Sequence, residues 1–301
     1  MHTEDHRFSD NGIRLLMVLT ALFWSGAFIT GKIAIAELPP FSLSFFRFFF
    51  ALPFIFLIFH RIEPGKLWPS RRQWWPLIIL GIIGTFGYHA LFFNCLKYTT
   101  AINSSLIGAT NPMMTALLAA VFFHERLTRL RVVGIAMSFA GVFLVVTKGQ
   151  WEMLTHFQFN PGDILMLIAV LCWAVYSLLG RSFMKKYQLS PLMVTAYTFT
   201  VCVVASLPFV WWEQPGSYLG EVSTVGWLSV LYMSVFASVL GYLIHMNAVR
   251  RIGAAKAAMF INLVPIFTII QSILILGEAF SLFQFVGACV IIAGVYLATR
   301  P

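Results

Sequence analysis

Ten stretches of this chain hold almost no charge, at about 14 to 35, 41 to 59, 74 to 93, 101 to 123, 130 to 147, 163 to 183, 191 to 212, 225 to 246, 254 to 276 and 282 to 299. A run of ~20 apolar residues is the length of helix that crosses the ~30 Å hydrocarbon core of a bilayer. Inside lipid every backbone polar group must be satisfied internally, so runs of this length can only be helices. The pattern therefore predicts an all-α polytopic membrane protein with ten transmembrane helices. Ten spans take up ~200 residues and leave ~100 for loops and tails, with nothing over for an extramembrane domain. The composition agrees: 20 Lys and Arg plus 11 Asp and Glu make 31 charged residues among 301, and 59% are apolar. Soluble domains carry about 25% charge, so a soluble enzyme, a nucleic-acid binder and a secreted scaffold are excluded. The basic excess has no run outside the apolar framework to receive a phosphate backbone, so no nucleic-acid partner is expected. The expected partners are the lipid bilayer and a small-molecule substrate, with the chain acting as a monomer.

The first 13 residues are polar and of mixed charge, and the first apolar stretch lacks a small-residue cleavage site, so it reads as a span and not as a signal peptide. Cys95, Cys172, Cys202 and Cys289 are far apart in sequence. That excludes a CxxC redox or zinc pattern and makes them small packing residues. No metal and no cofactor is expected. Basic residues on alternate sides of the spans give the orientation, because the cytoplasmic side collects them. One side holds Arg7, Arg14, Arg61, Lys66, Arg71, Arg72, Arg126, Arg129, Arg131, Arg181, Lys185, Lys186, Arg250, Arg251, Lys256 and Arg300, and the other only Lys32, Lys97 and Lys148. This places both termini in the cytoplasm of a bacterial inner membrane or plasma membrane.

The second half repeats the first. A shift of 153 residues lays 101–146 on 254–299 without a gap, pairing Pro112 with Pro265, Thr115 with Thr268, Glu125 with Glu278, Gly134 with Gly287 and Gly141 with Gly294. Trp24 falls on Trp173 at a shift of 149, and Gly87-Tyr88 on Gly241-Tyr242 at 154. The repeats cover 1–148 and 160–301, five spans each. Five is odd, so the second copy enters from the opposite face, giving two inverted repeats with a site expected near the midplane.

The strings "ALFWSGAFITGKIAIAELPPFSLSFFRFFFA", "TTAINSSLIGATNPMMTALLAAVFFHERLTRLRVVGIAMSFAGVFLVV" and its echo "GAAKAAMFINLVPIFTIIQSILILGEAFSLFQFVGACVIIAGVYLAT" resemble the EamA family of the drug/metabolite transporter superfamily, and within it the YddG-type aromatic amino-acid exporters. The resemblance covers nearly the whole chain. It implies ten helices with both termini cytoplasmic and export of small metabolites, amino acids in particular.

Pro112 and Pro265 are each the twelfth residue of their stretch. Each removes an N–H and frees the carbonyl four residues earlier, at Gly108 and Ile261, so they read either as static kinks or as bending points that shape a central cavity. Trp24 and Trp173 lie mid-span, where an interfacial belt role does not apply. They either pack or face each other across a cavity and stack on a flat substrate, with Tyr176 a neighbour of Trp173. Tyr88 lies toward the outer end of its span and Tyr242 toward the inner end of its own, which places one tyrosine near each mouth. His89 is the plausible titrating group in the interior and a candidate proton carrier, whereas His245 is close enough to Arg250 to be interfacial. Asn111, beside Pro112, is the best of the neutral polar candidates.

No Asp or Glu lies deep in a span; Glu37, Glu125, Asp163 and Glu278 are all at ends. Glu125 and Glu278 read as structural, preceding the N-caps Thr128 and Ser281, and Ser281 with Gln284 forms a capping box. Arg47 lies nearer the outer surface and either snorkels, pairs with Glu37 or draws a carboxylate inward. The glycine pairs 134/141 and 287/294 make their helices packing scaffolds. An intramembrane enzyme is the remote alternative: His124-Glu125 lacks a second His, Asp163 lacks a partner Asp, and no G-x-S-x-G occurs. His2, Glu4, Asp5 and His6 read as a disordered tail. The reading is a transporter that exports amino acids, aromatic or other neutral ones, by alternating access through a central cavity. Export of another metabolite or a drug-like compound is the alternative.

Overall fold

The computed structural model of the chain describes residues 10–65, 67–123, 128–149, 159–252 and 260–298. The tail residues His2 to His6, the carboxylate of Glu125 and residues 254–259 lie outside them. Among the described residues, eight helices are long and apolar enough to cross a membrane, and two shorter apolar ones follow, so this is an all-helical, multi-pass integral membrane protein. The helices are α1 (Asp10–Ala34), α2 (Pro40–Ile62), α3 (Arg71–Tyr98), α4 (Ala101–Gly108 and Asn111–Phe123), α5 (Arg129–Thr147), α6 (Pro161–Tyr187), α7 (Pro191–Trp212), α8 (Thr224–Tyr232, Met233–Leu240 and Gly241–Ile252), α9 (Leu263–Leu276) and α10 (Leu282–Ala298). Their outer surface is apolar, with Leu57, Phe122, Val133, Leu274 and Leu282 all well exposed, as lipid requires. Trp68 and Trp211–Trp212 stand exposed at opposite ends of the bundle, where amphipathic rings suit the interfaces.

Starts and stops follow local chemistry. Proline at the first position opens α2, α6 and α7, where its missing N–H is not needed. Asn160, Ser190 and Ser223 accept from Gly162, Met193 and Gly226 N–H at 2.8, 3.1 and 3.1 Å. The expected caps at the last helix of each half are present: Thr128 Oγ1 accepts from Arg131 N–H, and Ser281 and Gln284 bond each other reciprocally at 2.8 and 3.2 Å. α9 ends on Gly277, whose φ of +66° favours glycine.

Long-range contacts fix the directions. Lys32, at the end of α1, donates to the carbonyls of Leu96 (2.6 Å) and Thr99 (2.7 Å) at the end of α3. Thr99 in turn donates to Asp163 Oδ1 at the start of α6, at 2.6 Å. At the other end of the pair, Gln73 of α3 donates to the Tyr187 carbonyl that closes α6. So α6 runs antiparallel to α1 and α3. Likewise Glu37, just past α1, accepts from Ser223 N–H (2.6 Å) and Oγ (2.7 Å) at the start of α8. Glu213, at the end of α7, accepts from Phe41 N–H, Ser42 N–H and Ser42 Oγ at the start of α2. Glu278 accepts from Ala101 and Ile102 N–H at 2.8 and 3.2 Å, which gives it the structural role expected. Each carboxylate neutralises the positive end of a helix from another segment. Tyr218, in the loop before α8, bonds Ser42 Oγ, and burial holds its phenol above the usual tyrosine range.

α5 and α10 pack on each other backbone to backbone. A Cβ on Gly134 would strike Ala298 N and Gly294 O, and one on Gly294 would strike Ser138. A Cβ on Gly141 would lie 3.0 Å from the Gly287 carbonyl oxygen, and one on Gly287 3.1 Å from that of Gly141. Glycine at all four positions removes the side chains that would hold these helices apart.

Candidate functional site

Where α1, α3, α6 and α8 meet, five aromatic side chains form one connected set. Trp24 of α1 contacts Tyr242 of α8 at 5.9 Å between centroids, and Trp173 of α6 contacts Tyr88 of α3 at 5.1 Å. These two contacts exchange under the residue shifts that relate the halves, since Trp24 matches Trp173 and Tyr88 matches Tyr242. Trp173 also touches Tyr176 at 5.4 Å and Tyr242 at 6.5 Å. Tyr88, Tyr176 and Tyr242 sit deep in the bundle. Yet these three rings and both indoles keep accessible surface, so packing does not seal the set. Tyr242 bridges the two tryptophans, which do not meet directly among the described contacts.

Two expectations are corrected here. Tyr88 and Tyr242 do not sit at opposite mouths, because both lie against Trp173; counting depth along straight helices ignores tilt and crossing. His245 is not simply interfacial. It packs on Trp24 at 5.3 Å, and its Nδ1 is buried without a partner among the described residues.

Each indole and ring is positioned by local backbone. Trp24 Nε1 donates to the Ala237 carbonyl at 3.0 Å, which ties α1 to α8. The indole occupies the space above Gly241, where a Cβ would lie 2.6 Å from Nε1. The Tyr176 ring lies directly on Gly84 of α3. Both Gly84 and Ala237 belong to π-helical stretches, Gly81–Gly87 and Met233–Leu240. The 154-residue shift maps 81–87 onto 235–241, so the widened turn recurs at the same place in both halves. Such bulges alter the register of a helix and collect at functional sites.

The prolines act differently from simple kinks within continuous helices. α4 breaks at Ala109–Thr110 and the chain turns again at Asn262, 153 residues later. Pro112 and Pro265 therefore stand in the first turn of new segments, where a missing N–H costs little. Ala109 keeps φ −62° and ψ −15°, so the path bends without reversing. Asn111 is half-buried, and its Oδ1 is a buried acceptor without a partner among the described residues. It lies beside the break and outside the aromatic set.

His89 is 3% exposed and sits behind Tyr88, its ring edge-on to Phe48 at 4.7 Å. Nδ1 lies 2.8 Å from the Thr85 carbonyl. A carbonyl only accepts, so Nδ1 carries the hydrogen and Nε2 is left for other partners.

Arg47 sits closer to this set than its position in the sequence indicates. It neither snorkels nor pairs with Glu37, which is committed to Ser223. The residue is 5% exposed, its Nε donates to Ser238 Oγ at 3.0 Å, and its guanidinium carbon lies 5.3 and 5.9 Å from the Phe48 and Phe93 centroids. The available signal was a lone arginine well inside an apolar run. The Gly81, Gly84, Gly87 spacing was the signal for the bulge in α3.

Such a set of rings and hydroxyls can stack on and hydrogen-bond a small organic molecule. The EamA-like transporter family matches residues 12–147 and 160–300. An uncharacterized transporter of Archaeoglobus fulgidus is 36% identical over 95% of this chain and 96% of its own length. The uncharacterized transporter YyaM of Bacillus subtilis is 34% identical over 95% and 93%. A protein of Salmonella typhimurium described as a "probable amino-acid metabolite efflux pump" is 26% identical over 94% and 93%. A crystal structure of a protein 20% identical in sequence superposes with a TM-score of 0.66 over 96% of this chain and 97% of that one, a likeness of fold.

Proposed function

The chain belongs to the EamA-like transporter family, and we propose that it exports amino acids, aromatic or other neutral ones, and related small metabolites through the opening that Trp24, Tyr88, Trp173, Tyr176 and Tyr242 border. The observation that carries this reading is the exchange-related pair of contacts, Trp24 with Tyr242 and Trp173 with Tyr88. A site built from matched groups of both halves can be offered to either side of the membrane by the same motion, which is the requirement of alternating access. The similarity to an amino-acid metabolite efflux pump supports the substrate class. In this reading the protein has ten spans in two inverted five-span repeats, 1–148 and 160–301, with both termini in the cytoplasm of a bacterial inner membrane. The antiparallel course of α6 and α1 supports the inversion, and the basic-residue split supports the orientation. The breaks before Pro112 and Pro265 serve as bending points beside the site, with Asn111 reaching toward cargo from one of them, and His89 is the candidate proton carrier.

The test is counterflow in liposomes. Purified protein, preloaded with an unlabelled amino acid, should take up labelled phenylalanine or another neutral amino acid faster than empty liposomes. Uptake equal to empty liposomes across a panel of the common amino acids would overturn the substrate class.

A further inference from the structure

Arg47 is the eighth residue of α2, about 10 Å of helix rise below the end at which that helix begins. A cation at that depth is costly unless something compensates it. Among the described residues no carboxylate does so. The ionisable groups within electrostatic range are Tyr88 of α3, Cys202 of α7, Tyr242 of α8 and His89 of α3, none of them a carboxylate. Among the described residues the one hydrogen bond of the guanidinium is from Nε to Ser238. The two terminal nitrogens, with four N–H donors between them, have no hydrogen-bond partner among the described residues. Ser44, three residues earlier on the same helix and fully buried, also has an Oγ without a partner among the described residues. Polar groups left over in this way mark a place for a polar guest.

The surroundings indicate the shape of that guest. Ser238 occupies in the second half the position that Gly84 occupies in the first, since 84 plus 154 is 238. At Gly84 the space is filled by the Tyr176 ring, whereas at Ser238 the hydroxyl holds Arg47. The aromatic set is thus two-fold in its Trp–Tyr contacts and one-sided in charge, with Arg47 held at Ser238 and the Tyr176 ring at the matching Gly84. The guanidinium fork matches a carboxylate bidentately, which a lone ammonium would not do.

We propose that Arg47 anchors the carboxylate of the cargo, so that the protein selects small monocarboxylates with a flat or apolar body laid against Trp173 and Tyr176. This rests on the reading above that the aromatic opening receives the cargo. Ser238 is the positioning residue, fixing Nε so that the two terminal nitrogens face the opening.

The experiment is counterflow of labelled phenylalanine into liposomes holding the wild-type protein, competed by unlabelled 3-phenylpropionate, phenylalaninamide and phenethylamine. 3-Phenylpropionate should compete within about three-fold of phenylalanine, and the two carboxyl-free compounds at least ten-fold worse, a ratio worth about 1.4 kcal/mol. Equal competition by phenylalaninamide and 3-phenylpropionate would overturn the carboxylate anchor while leaving transport through the aromatic opening intact. Counterflow of labelled phenylalanine no faster than in empty liposomes would overturn the anchor together with phenylalanine as cargo. In Arg47→Gln the discrimination between phenylalanine and phenylalaninamide should collapse to within about two-fold. Ser238→Ala, which keeps the charge, should narrow it partly. Discrimination unchanged in a monodisperse Arg47→Gln would overturn the role of Arg47. The wild-type competition needs no variant, so a folding failure in Arg47→Gln leaves the proposal exposed to refutation.

Discussion

Gly87 and Gly241 precede the matched tyrosines and look equivalent in sequence, yet alanine is expected to affect them very differently. At Gly241 an added Cβ would stand 2.6 Å from Trp24 Nε1 and 3.1 Å from its Cδ1, so reaching an ordinary 3.4 Å contact pushes the indole back by 0.8 Å. That shift breaks the 3.0 Å bond to the Ala237 carbonyl. Losing such a bond costs about 1 kcal/mol, and crowding a packed interior adds about 1–3 kcal/mol. Alanine recovers up to about 1 kcal/mol through its helix propensity, because Gly241 has ordinary helical angles of −57° and −47°. The net expectation for Gly241→Ala is a loss of about 1–3 kcal/mol in stability. With Trp24 displaced from Tyr242, counterflow should fall about ten-fold. At Gly87 the nearest atoms are the Ile82 carbonyl oxygen at 3.0 Å, which must give by 0.4 Å, and Cys172 Sγ at 4.0 Å, so Gly87→Ala should stay within about 1 kcal/mol of wild type and cost less than Gly241→Ala. The assay is thermal unfolding of the purified proteins followed by size-exclusion, with counterflow measured in parallel. Trp24→Phe removes the indole N–H that Gly241→Ala crowds, so the double variant should lose less than the sum of the singles. Gly241→Ala as stable and active as Gly87→Ala would refute the placement of Trp24.

Three further outcomes are expected. In a background lacking Cys95, Cys172, Cys202 and Cys289, cysteines at 97 or 148 should react with an impermeant thiol reagent from outside intact cells, and labelling at 71 or 129 instead would reverse the orientation. Gly134→Leu or Gly294→Leu should prevent recovery of monodisperse protein, since both positions touch the opposing backbone; normal yield of either would contradict the α5–α10 packing. If His89 carries a coupled proton, accumulation driven by a pH gradient should vanish in His89→Gln while counterflow persists, and accumulation that survives the substitution would place coupling elsewhere.

Span positions were legible in the sequence because apolar length alone sets them: the expected starts near 41, 101, 130, 191, 225 and 282 lie within one residue of the observed helices. The caps at Thr128 and Ser281 were legible because they are decided within three residues. What spans the fold was not. Glu213 and Glu37 reach helix starts 171 and 186 residues away, and nothing local distinguishes them from loop carboxylates. The π-helical stretches leave hydropathy unchanged while shifting which residues face inward. Arg47 reads from its own helix as a cation able to reach the surface, whereas its contact with Ser238, 191 residues on, ties it to the interior. The Trp24 and Trp173 pair could be found through the repeat, but Tyr242 as the bridge between them depends on how four helices cross.

The most direct test of the account is counterflow of labelled phenylalanine in liposomes holding wild type, Trp24→Ala or Trp173→Ala at matched protein content. The account predicts robust exchange in wild type and a fall of about ten-fold or more in each variant, with both remaining monodisperse. Wild-type exchange in both variants would contradict the assignment of the aromatic opening as the path of the cargo.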